Sequence, residues 1–274
     1  MKYPKVGEEN SEVKVGVAHI ESGEVVWMNL NLKGGYVPRV FWTHQSKLAV
    51  QVLNRKQDHL QLFLCNPADG KGEEVMSEKN ETWIDVTDDV FFFMGKREDQ
   101  FLYTSEKSGF RHVYLFHLKE KKEEQITSGH FEVESIAGVD EENELVYFYA
   151  HKEKPHDKLL FSVSISSKEV KRISNESEGT EKAHFSPDFS HFVSFYSNVR
   201  SPTKVTLKKS DGQVVRVILE NDIPALKEFG IVFPEFFSFH TSDGEELSGL
   251  IIKPPNFNEK DKYSVLFYGY GEFS

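Results

Sequence analysis

Cysteine is almost absent from this chain of 274 residues, in which Cys65 is the single example. One thiol cannot form a disulfide within the chain, and this favours a reducing compartment or a bacterial source. Hydrophobic runs are also short: no secretory segment follows Met1, and none approaches the roughly 20 apolar residues of a membrane helix. We therefore expect a soluble, cytoplasmic protein with no membrane partner, unless a leader precedes Met1.

Sequence patterns for metals and nucleotides are missing as well. The 11 histidines show no ligand spacing, and His-Glu-x-x-His does not occur. Gly269-Tyr270-Gly271 is not followed by the Gly-Lys-Ser/Thr of a phosphate loop. The net charge of −11 is spread along the chain, which argues against a nucleic-acid or anionic-membrane surface. We predict no cofactor, no metal site and no nucleic-acid partner, and a peptide or carbohydrate ligand stays possible.

Aromatic residues, by contrast, are abundant, with 23 Phe and 10 Tyr, and they favour strands over helices. A plan of four strands recurs along the chain, with a period of roughly 45 to 50 residues, which is typical of β-propeller blades. The repeats cover Val40 to Val75, Val90 to Thr127, Ile136 to Ser174 and Ala183 to Leu219. The alternative is a meander sandwich whose short strands are evenly spaced by coincidence.

Two hairpins flank these repeats. The first, around Ser22-Gly23, supplies only part of an earlier blade. The second alternates polar and apolar residues on both sides of Asp243-Gly244, which is a typical hairpin turn. Tyr263 to Tyr268 follows as a short strand of the buried kind. We therefore predict an all-β fold with a partial β-propeller of about four four-stranded blades plus part of another.

Several motifs resemble the dipeptidyl peptidase IV family of serine peptidases, which belongs to the prolyl oligopeptidase class. They include Tyr3-Pro4-Lys5-Val6-Gly7, Trp83-Ile84-Asp85-Val86 and the block from Thr104 to Phe116. Within that block Ser-Glu-Lys-x-Gly-Phe-Arg-His is specific, whereas the Ser-Pro-Asp at 186–188 is common to many propellers. The match runs nearly from end to end of the chain.

This resemblance implies an eight-bladed propeller that caps a C-terminal α/β-hydrolase domain. Residues 1–230 would then be the incomplete propeller, and residues 231–274 the linker and first strands of a truncated hydrolase domain. The family releases N-terminal dipeptides, usually after proline or alanine, and its members often form homodimers. The implied partners of this chain are a peptide substrate and the missing hydrolase domain.

Catalysis by this class requires a nucleophile in Gly-x-Ser-x-Gly, followed along the chain by an acid and a histidine. No serine of this sequence has glycines at both flanking positions. We therefore predict that the chain is inactive alone and serves to admit and orient a peptide. Two alternatives stay open: a non-catalytic propeller used as a binding scaffold, and an endopeptidase or acyl-peptide hydrolase of the same class.

One residue matches a catalytic position of the family. Val265 to Gly271 resembles the strand that leads into Tyr-Gly-Gly-Pro, whose tyrosine hydroxyl donates to the oxyanion, and Tyr270 takes that tyrosine's place. Such a donor stabilises a transition state by about 3 kcal/mol. Glu272-Phe273 departs from the family's Gly-Pro. The alternative is an interfacial tyrosine with a solvated hydroxyl.

The resemblance also places substrate contacts just after the tryptophan of the Trp-Ile-Asp-Val segment. Trp83, Val86, Thr87 and Asp88 are therefore the candidate substrate-binding residues. An indole ring and carboxylates can receive a peptide amine through stacking and charge-assisted hydrogen bonds. The alternative is that Trp83 packs between blades while the aspartates cap a turn. For Arg55 and Arg111 we expect structural ion pairs.

Overall fold

The computed structural model describes residues 4–94, 97–224 and 228–269, and within these ranges it has 20 β-strands. The first two, β1 (Gly16–Ala18) and β2 (Val25–Trp27), form an antiparallel hairpin. It is the predicted hairpin around Ser22-Gly23, and the glycine takes the positive φ, +72°, that the turn requires.

Four antiparallel sheets of four strands follow, each built from strands in sequence order. Sheet I consists of β3 (Tyr36–Trp42), β4 (Leu48–Leu53), β5 (His59–Cys65) and β6 (Gly72–Lys79). Sheet II consists of β7 (Val90–Phe92), β8 (Gln100–Ser105), β9 (His112–His117) and β10 (Lys122–Gln125). Sheet III consists of β11 (Glu132–Asp140), β12 (Leu145–His151), β13 (Leu159–Ser164) and β14 (Val170–Arg172). Sheet IV consists of β15 (Thr180–Phe185), β16 (His191–Asn198), β17 (Ser201–Lys209) and β18 (Val214–Leu219).

These sheets confirm the predicted all-β fold with four-stranded units, and their arrangement is that of successive propeller blades. Alternation along β8 shows how they pack: Phe101 contributes to a core shared with sheet I, and Leu102 to a core shared with sheet III. Phe192 of sheet IV completes a third core with Tyr147 of sheet III. Because the central strands are covered on both faces, they read as continuous apolar runs. The sandwich alternative is wrong, since its strands would alternate between apolar and polar.

Neighbouring units also approach each other closely through their backbones. Asn29, just after β2, donates its amide to the carbonyl of Gly70 at 2.7 Å, and Lys158 donates to Gly179 at 2.8 Å. Gly70 has φ +72°, and a Cβ there would lie 2.2 Å from the Trp27 carbonyl oxygen. Glycine is therefore required at this contact.

The last strand of sheet IV and the hairpin that follows it are exposed. All six residues of β18 are exposed, and five of them are Val, Ile or Leu. Strands β19 (Glu235–His240) and β20 (Glu246–Ile251) form the second predicted hairpin, with a turn at Gly244, and every residue of β19 is exposed. Exposed apolar side chains of this kind are suited to contact with another polypeptide.

The strand predicted over Tyr263 to Tyr268 is not among the strands of the described chain, and the side chains of Val265 to Tyr268 are at least 69% exposed. The start of an α/β-hydrolase domain in this segment stays a prediction. The ion pair expected for Arg55 is wrong. Arg55 makes no ion pair with Asp58; it donates to the backbone carbonyl of Glu8, while Lys56 pairs with Asp58 at 2.8 Å. A strand needs a partner for its backbone groups, and a long arginine can reach a distant carbonyl.

A buried ionic network joins sheets III and IV. Lys208 of β17 is fully buried and donates to Glu181 of β15 at 2.8 Å and to Glu176 at 3.1 Å. Glu181 also accepts hydrogen bonds from the hydroxyls of Ser174 and Ser194. The carboxylate is thus compensated for its loss of water by a cation and two hydroxyl donors.

We predict that Lys208→Met destabilises the protein by about 3 to 5 kcal/mol, because it leaves the Glu181 carboxylate buried without its cation. The matched control is Lys204→Met on the same strand, which removes an exposed pair with Glu220 and should change stability by about 0 to 1 kcal/mol. Urea unfolding measures both values. Equal losses in the two variants would contradict the prediction.

Candidate functional site

The candidate substrate-binding residues lie in the segment 80–89 that connects β6 of sheet I to β7 of sheet II. Asn80 starts the segment with a side-chain turn, since its Oδ1 accepts the Thr82 amide at 3.2 Å. Ile84 then donates its amide to the Gln57 carbonyl at 2.7 Å and packs in an apolar cluster with Leu53. The segment is therefore anchored at Ile84.

The tryptophan next to this anchor has different surroundings. Ile84 is buried, whereas Trp83 is 57% exposed. The indole is not packed between sheets, contrary to the alternative in which it serves as core. An exposed indole beside a polar segment is available for stacking with a ligand.

The next candidates have different surroundings. Val86 packs against the cluster that holds Ile84. Thr87 shares a hydrogen bond of 2.9 Å with the hydroxyl of Thr104 on β8. Asp88 is exposed, and its carboxylate pairs with Arg39 of β3. Of the three, only Asp88 presents a charged group to solvent, and that group already has a partner.

Sequence reasoning missed the adjacent Asp89. Its carboxylate accepts the Ile136 amide of sheet III at 2.9 Å and the Thr104 hydroxyl at 3.2 Å. Burial raises the pKa of Asp89, against the opposing effect of these hydrogen bonds. The sequence did contain a signal for Asp89, since two adjacent aspartates stand immediately before the apolar run that forms β7.

Asp88 and Asp89 both line an open cavity of about 960 Å³ on the side of β7 and β11. Other carboxylates of the described chain that line it are Asp140, Glu141, Glu142, Glu144 and Asp188. Phe91, Phe93 and Phe189 supply an apolar part of the wall. Arg97 lies there too, but it pairs with Glu144 at 2.7 Å. Such a cavity suits a ligand that is cationic at one end and apolar beside it.

Under Trp83 a second, smaller cavity separates sheets I and II. It holds about 20 Å³ and is lined by residues that include Gln51, Glu78 and Thr87. That volume admits about one water molecule. Burial raises the pKa of Glu78, which accepts a hydrogen bond from the Ser105 hydroxyl at 2.6 Å. The cavity is too small for a peptide side chain, so the larger one is the candidate site.

The Ser-Glu-Lys-x-Gly-Phe-Arg-His block, residues 105–112, contacts this segment through Arg111. Arg111 pairs with Glu106 at 2.7 Å and with Asp85 of the segment, which confirms its predicted role in structural ion pairs. His112 is buried, with ring nitrogens 3.1 Å from the Thr127 hydroxyl and from the Gly129 carbonyl. Burial lowers the pKa of His112. The motif is therefore structural here.

Tyr270 lies outside the described residues. In the described ranges, 4–94, 97–224 and 228–269, no three His, Cys, Asp or Glu side chains are grouped in a way that could hold a metal ion. No helix in the same ranges is both long and apolar enough to cross a membrane. Cys65 is buried, and burial raises the pKa of its thiol.

Comparisons with known proteins agree with this architecture. Residues 1–203 match the family model for the dipeptidyl peptidase IV (DPP IV) N-terminal region. A probable dipeptidyl-aminopeptidase B of Botryotinia fuckeliana is 29% identical over 296 residues, which cover 99% of this chain and 32% of that protein. Dipeptidyl peptidase 4 of Trichophyton rubrum is 28% identical over 284 residues, which cover 99% and 36%. The chain thus spans about a third of the length of these curated relatives.

Solved structures are similar over nearly the same extent. The crystal structure of Porphyromonas gingivalis dipeptidyl peptidase 4 superposes with a TM-score of 0.82 at 28% identity, covering 94% of this chain and 37% of that one. A putative dipeptidyl aminopeptidase IV from Bacteroides ovatus gives a TM-score of 0.86 at 21% identity, covering 96% and 40%, which supports the fold alone.

The contributions of two carboxylates of the larger cavity to the stability of the protein should change with pH in opposite directions. The pKa of Asp89 is raised above 3.8 by burial, so its contribution to stability is complete at low pH and is lost as pH rises through the folded pKa. The pKa of exposed Asp188 is lowered from 3.8 to about 2, mainly by the Ser186 hydroxyl. Its contribution is present above 3.8 and is lost as pH falls through about 2.

We therefore predict that the stability differences between wild type and the variants Asp89→Asn and Asp188→Asn change with pH in opposite directions. Unfolding free energies measured over a pH series give these differences. The wild-type advantage over Asp89→Asn should decline as pH rises, and its advantage over Asp188→Asn should decline as pH falls. Parallel changes for the two variants would refute the assignment.

Proposed function

Because this chain belongs to the dipeptidyl peptidase IV N-terminal region family, we propose that it is the propeller portion of a serine exopeptidase that releases N-terminal Xaa-Pro or Xaa-Ala dipeptides. Its own role is to admit the peptide and orient it. The observation that supports this role best is the acid-rich cavity beside Asp88 and Asp89.

The chemistry of that cavity fits the end of a peptide. A free amino terminus is a cation at neutral pH, and a carboxylate binds it through short, charge-assisted hydrogen bonds. The apolar wall next to the carboxylates suits the first side chains or a proline ring. We assign Asp88 to the amine, in exchange for Arg39. Trp83 lines the smaller cavity and not the larger one, so its exposed indole would stack with a part of the peptide that extends beyond the larger cavity. Val86 and Thr87 hold the segment that carries them.

Residues 231–274 would form the linker and the first strands of an α/β-hydrolase domain. The exposed apolar side chains of β19 and of Val265 to Tyr268 support this proposal, since a partner domain would cover them. Tyr270 would then donate its hydroxyl to the oxyanion that forms in the other domain. Without Gly-x-Ser-x-Gly the chain supplies no activated nucleophile of its own.

We predict that the chain alone does not hydrolyse an Xaa-Pro chromogenic substrate, because it has no nucleophilic serine on a strand-to-helix turn. The assay is the release of chromophore over hours, with a complete dipeptidyl peptidase as the positive control. Turnover that a serine-directed inhibitor abolishes would contradict the claim of inactivity.

Peptide orientation has a separate test. An Xaa-Pro dipeptide amide with a free amine should bind the wild-type chain, and its N-acetylated counterpart should bind about tenfold or more weakly, because acetylation removes the cation. Asp88→Asn should remove this difference, whereas Asp69→Asn, at an exposed turn in sheet I, should preserve it. Isothermal titration calorimetry gives the affinities.

Equal binding of the two peptides would argue against the orienting role and favour the non-catalytic scaffold. A scaffold also requires a closed, monodisperse monomer with protected amides in all four sheets. Size-exclusion chromatography with hydrogen exchange distinguishes it from a portion of a larger enzyme, whose exposed strand β18 promotes association.

A further inference from the structure

The sequence contains three Asp-Gly dipeptides, Asp69-Gly70, Asp211-Gly212 and Asp243-Gly244. In each of them the glycine lies in a turn and has a positive φ, of +72°, +89° and +96° respectively, which glycine adopts without strain. In each turn the glycine amide also donates to a carbonyl three or four residues earlier, at 2.9 to 3.0 Å. The local sequence and the local backbone therefore do not distinguish the three positions.

Packing around the glycines does distinguish them. Gly70 and Gly212 are buried. A Cβ at Gly70 would lie 2.2 Å from the Trp27 carbonyl oxygen, and a Cβ at Gly212 would lie 2.3 Å from the Ile173 carbonyl oxygen. Both turns are thus pressed against the backbone of a neighbouring unit, and neither glycine can change its conformation unless that neighbour moves.

The aspartate side chains follow the same division. Each of the two aspartates in the packed turns uses its Oδ1 to accept the amide two residues ahead, at 3.1 Å for Asp69 and at 2.9 Å for Asp211. This side-chain turn occupies the carboxylate with an amide other than that of the adjacent glycine. Two residues beyond Asp243, the Glu245 amide donates instead to the Thr241 hydroxyl, at 3.0 Å.

The third dipeptide has open surroundings. Asp243 and Gly244 are both exposed, at the turn between β19 and β20. A Cβ at Gly244 would meet no atom of the described chain within 4 Å. The peptide bond between these two residues can therefore rotate after only a local opening of the turn, which requires little free energy at an exposed loop tip.

We propose that Asp243 isomerises spontaneously to isoaspartate in the folded protein. The backbone nitrogen of Gly244 attacks the side-chain carboxyl carbon of protonated Asp243. The new C–N bond forms while the carboxyl hydroxyl and the amide proton leave as water, and the product is a five-membered succinimide ring. Water then adds to the main-chain carbonyl carbon of residue 243 and breaks its bond to the Gly244 nitrogen, so that the chain continues through the former side chain. One water is released and one is consumed, without an oxidant or reductant.

This isomerisation would change the hairpin, because the Cβ of Asp243 becomes a backbone atom. The Thr241 amide donates to the Glu245 carbonyl at 2.9 Å, and the Gly244 amide donates to the Thr241 carbonyl at 3.0 Å. Both hydrogen bonds depend on the length of the backbone in the turn, which also sets the register of β19 on β20. The isoaspartate therefore loosens the turn end of this hairpin.

The test incubates the purified chain under native conditions and then digests it with trypsin. A hydrogen bond with the Thr241 hydroxyl lowers the pKa of Asp243, so mildly acidic buffer is used to supply more of the protonated carboxyl. Trypsin separates the three dipeptides into the peptides 57–71, 210–216 and 228–260. Isoaspartate carries a free main-chain carboxylate, and an isoaspartate methyltransferase with radiolabelled S-adenosylmethionine quantifies it in each peptide.

Peptide 228–260 should contain at least about tenfold more isoaspartate than either of the other two, because the packed turns must first open against their neighbours. In guanidinium the three peptides should be modified at similar rates, since only their common Asp-Gly sequence then matters. Asp243→Ser should remove the signal from peptide 228–260, and this control excludes deamidation of the asparagines in the same peptide.

Equal modification of the three peptides in the native protein would overturn the proposal. A signal that persists in Asp243→Ser would also overturn it, as would a preference for peptide 228–260 that is unchanged in guanidinium. Modification that appears in guanidinium but in none of the native peptides would mean that the turn at Gly244 is held as firmly as the other two, and the proposal would equally be wrong. The dipeptide proposal for the Asp88 cavity is independent of this outcome.

Discussion

Burial of the central strands on both faces is the constraint on which the rest of the structure depends. A strand such as β8 or β12 has apolar side chains on each side, so no sheet can satisfy both faces alone. Stacking the sheets in sequence order solves this problem, because each face meets the facing side of the next unit. Charged groups that are buried inside the strands, such as Lys208 and Glu181, are paired with each other.

The candidate site lies in a connection between two sheets. The segment 80–89 is anchored by Ile84 in an apolar cluster, while the neighbouring Trp83 is exposed. Arg111 supports the segment through Asp85, and Asp89 connects it to sheet III through the Ile136 amide. A rigid framework thus presents exposed and charged groups on connecting segments, as is usual for binding sites on β-folds.

The local sequence pattern was sufficient to predict the strands of the fold, but it was insufficient to predict the contacts between those strands. Sheet I corresponds to the four-strand repeat predicted from Val40 to Val75, because the apolar residues and flanking turns of each strand are encoded within a few positions. The ionic partner of Lys208 could not be predicted, since the charge lies among other lysines in β17 and meets Glu181 of β15 only after both strands pair with β16. The strand predicted over Tyr263 to Tyr268 is not formed in the described chain for a related reason, because a strand needs another strand to pair with its backbone groups. Segment 80–89 was located by resemblance, whereas the pairing of Asp88 with Arg39 needed the structure.

The stacking order has a mechanical consequence. Among the described residues, the buried apolar clusters join each sheet to its neighbours in sequence, and the largest of these clusters lies between sheets II and III. The molecule therefore resembles a one-dimensional array, in which stability is a sum of units and nearest-neighbour interfaces. Unfolding in such an array begins at its margins, and sheet IV, with β18 uncovered, is one of them. Local opening free energy should accordingly rise towards the middle, so the Asp88 cavity beside sheets II and III lies on the most persistent part of the chain.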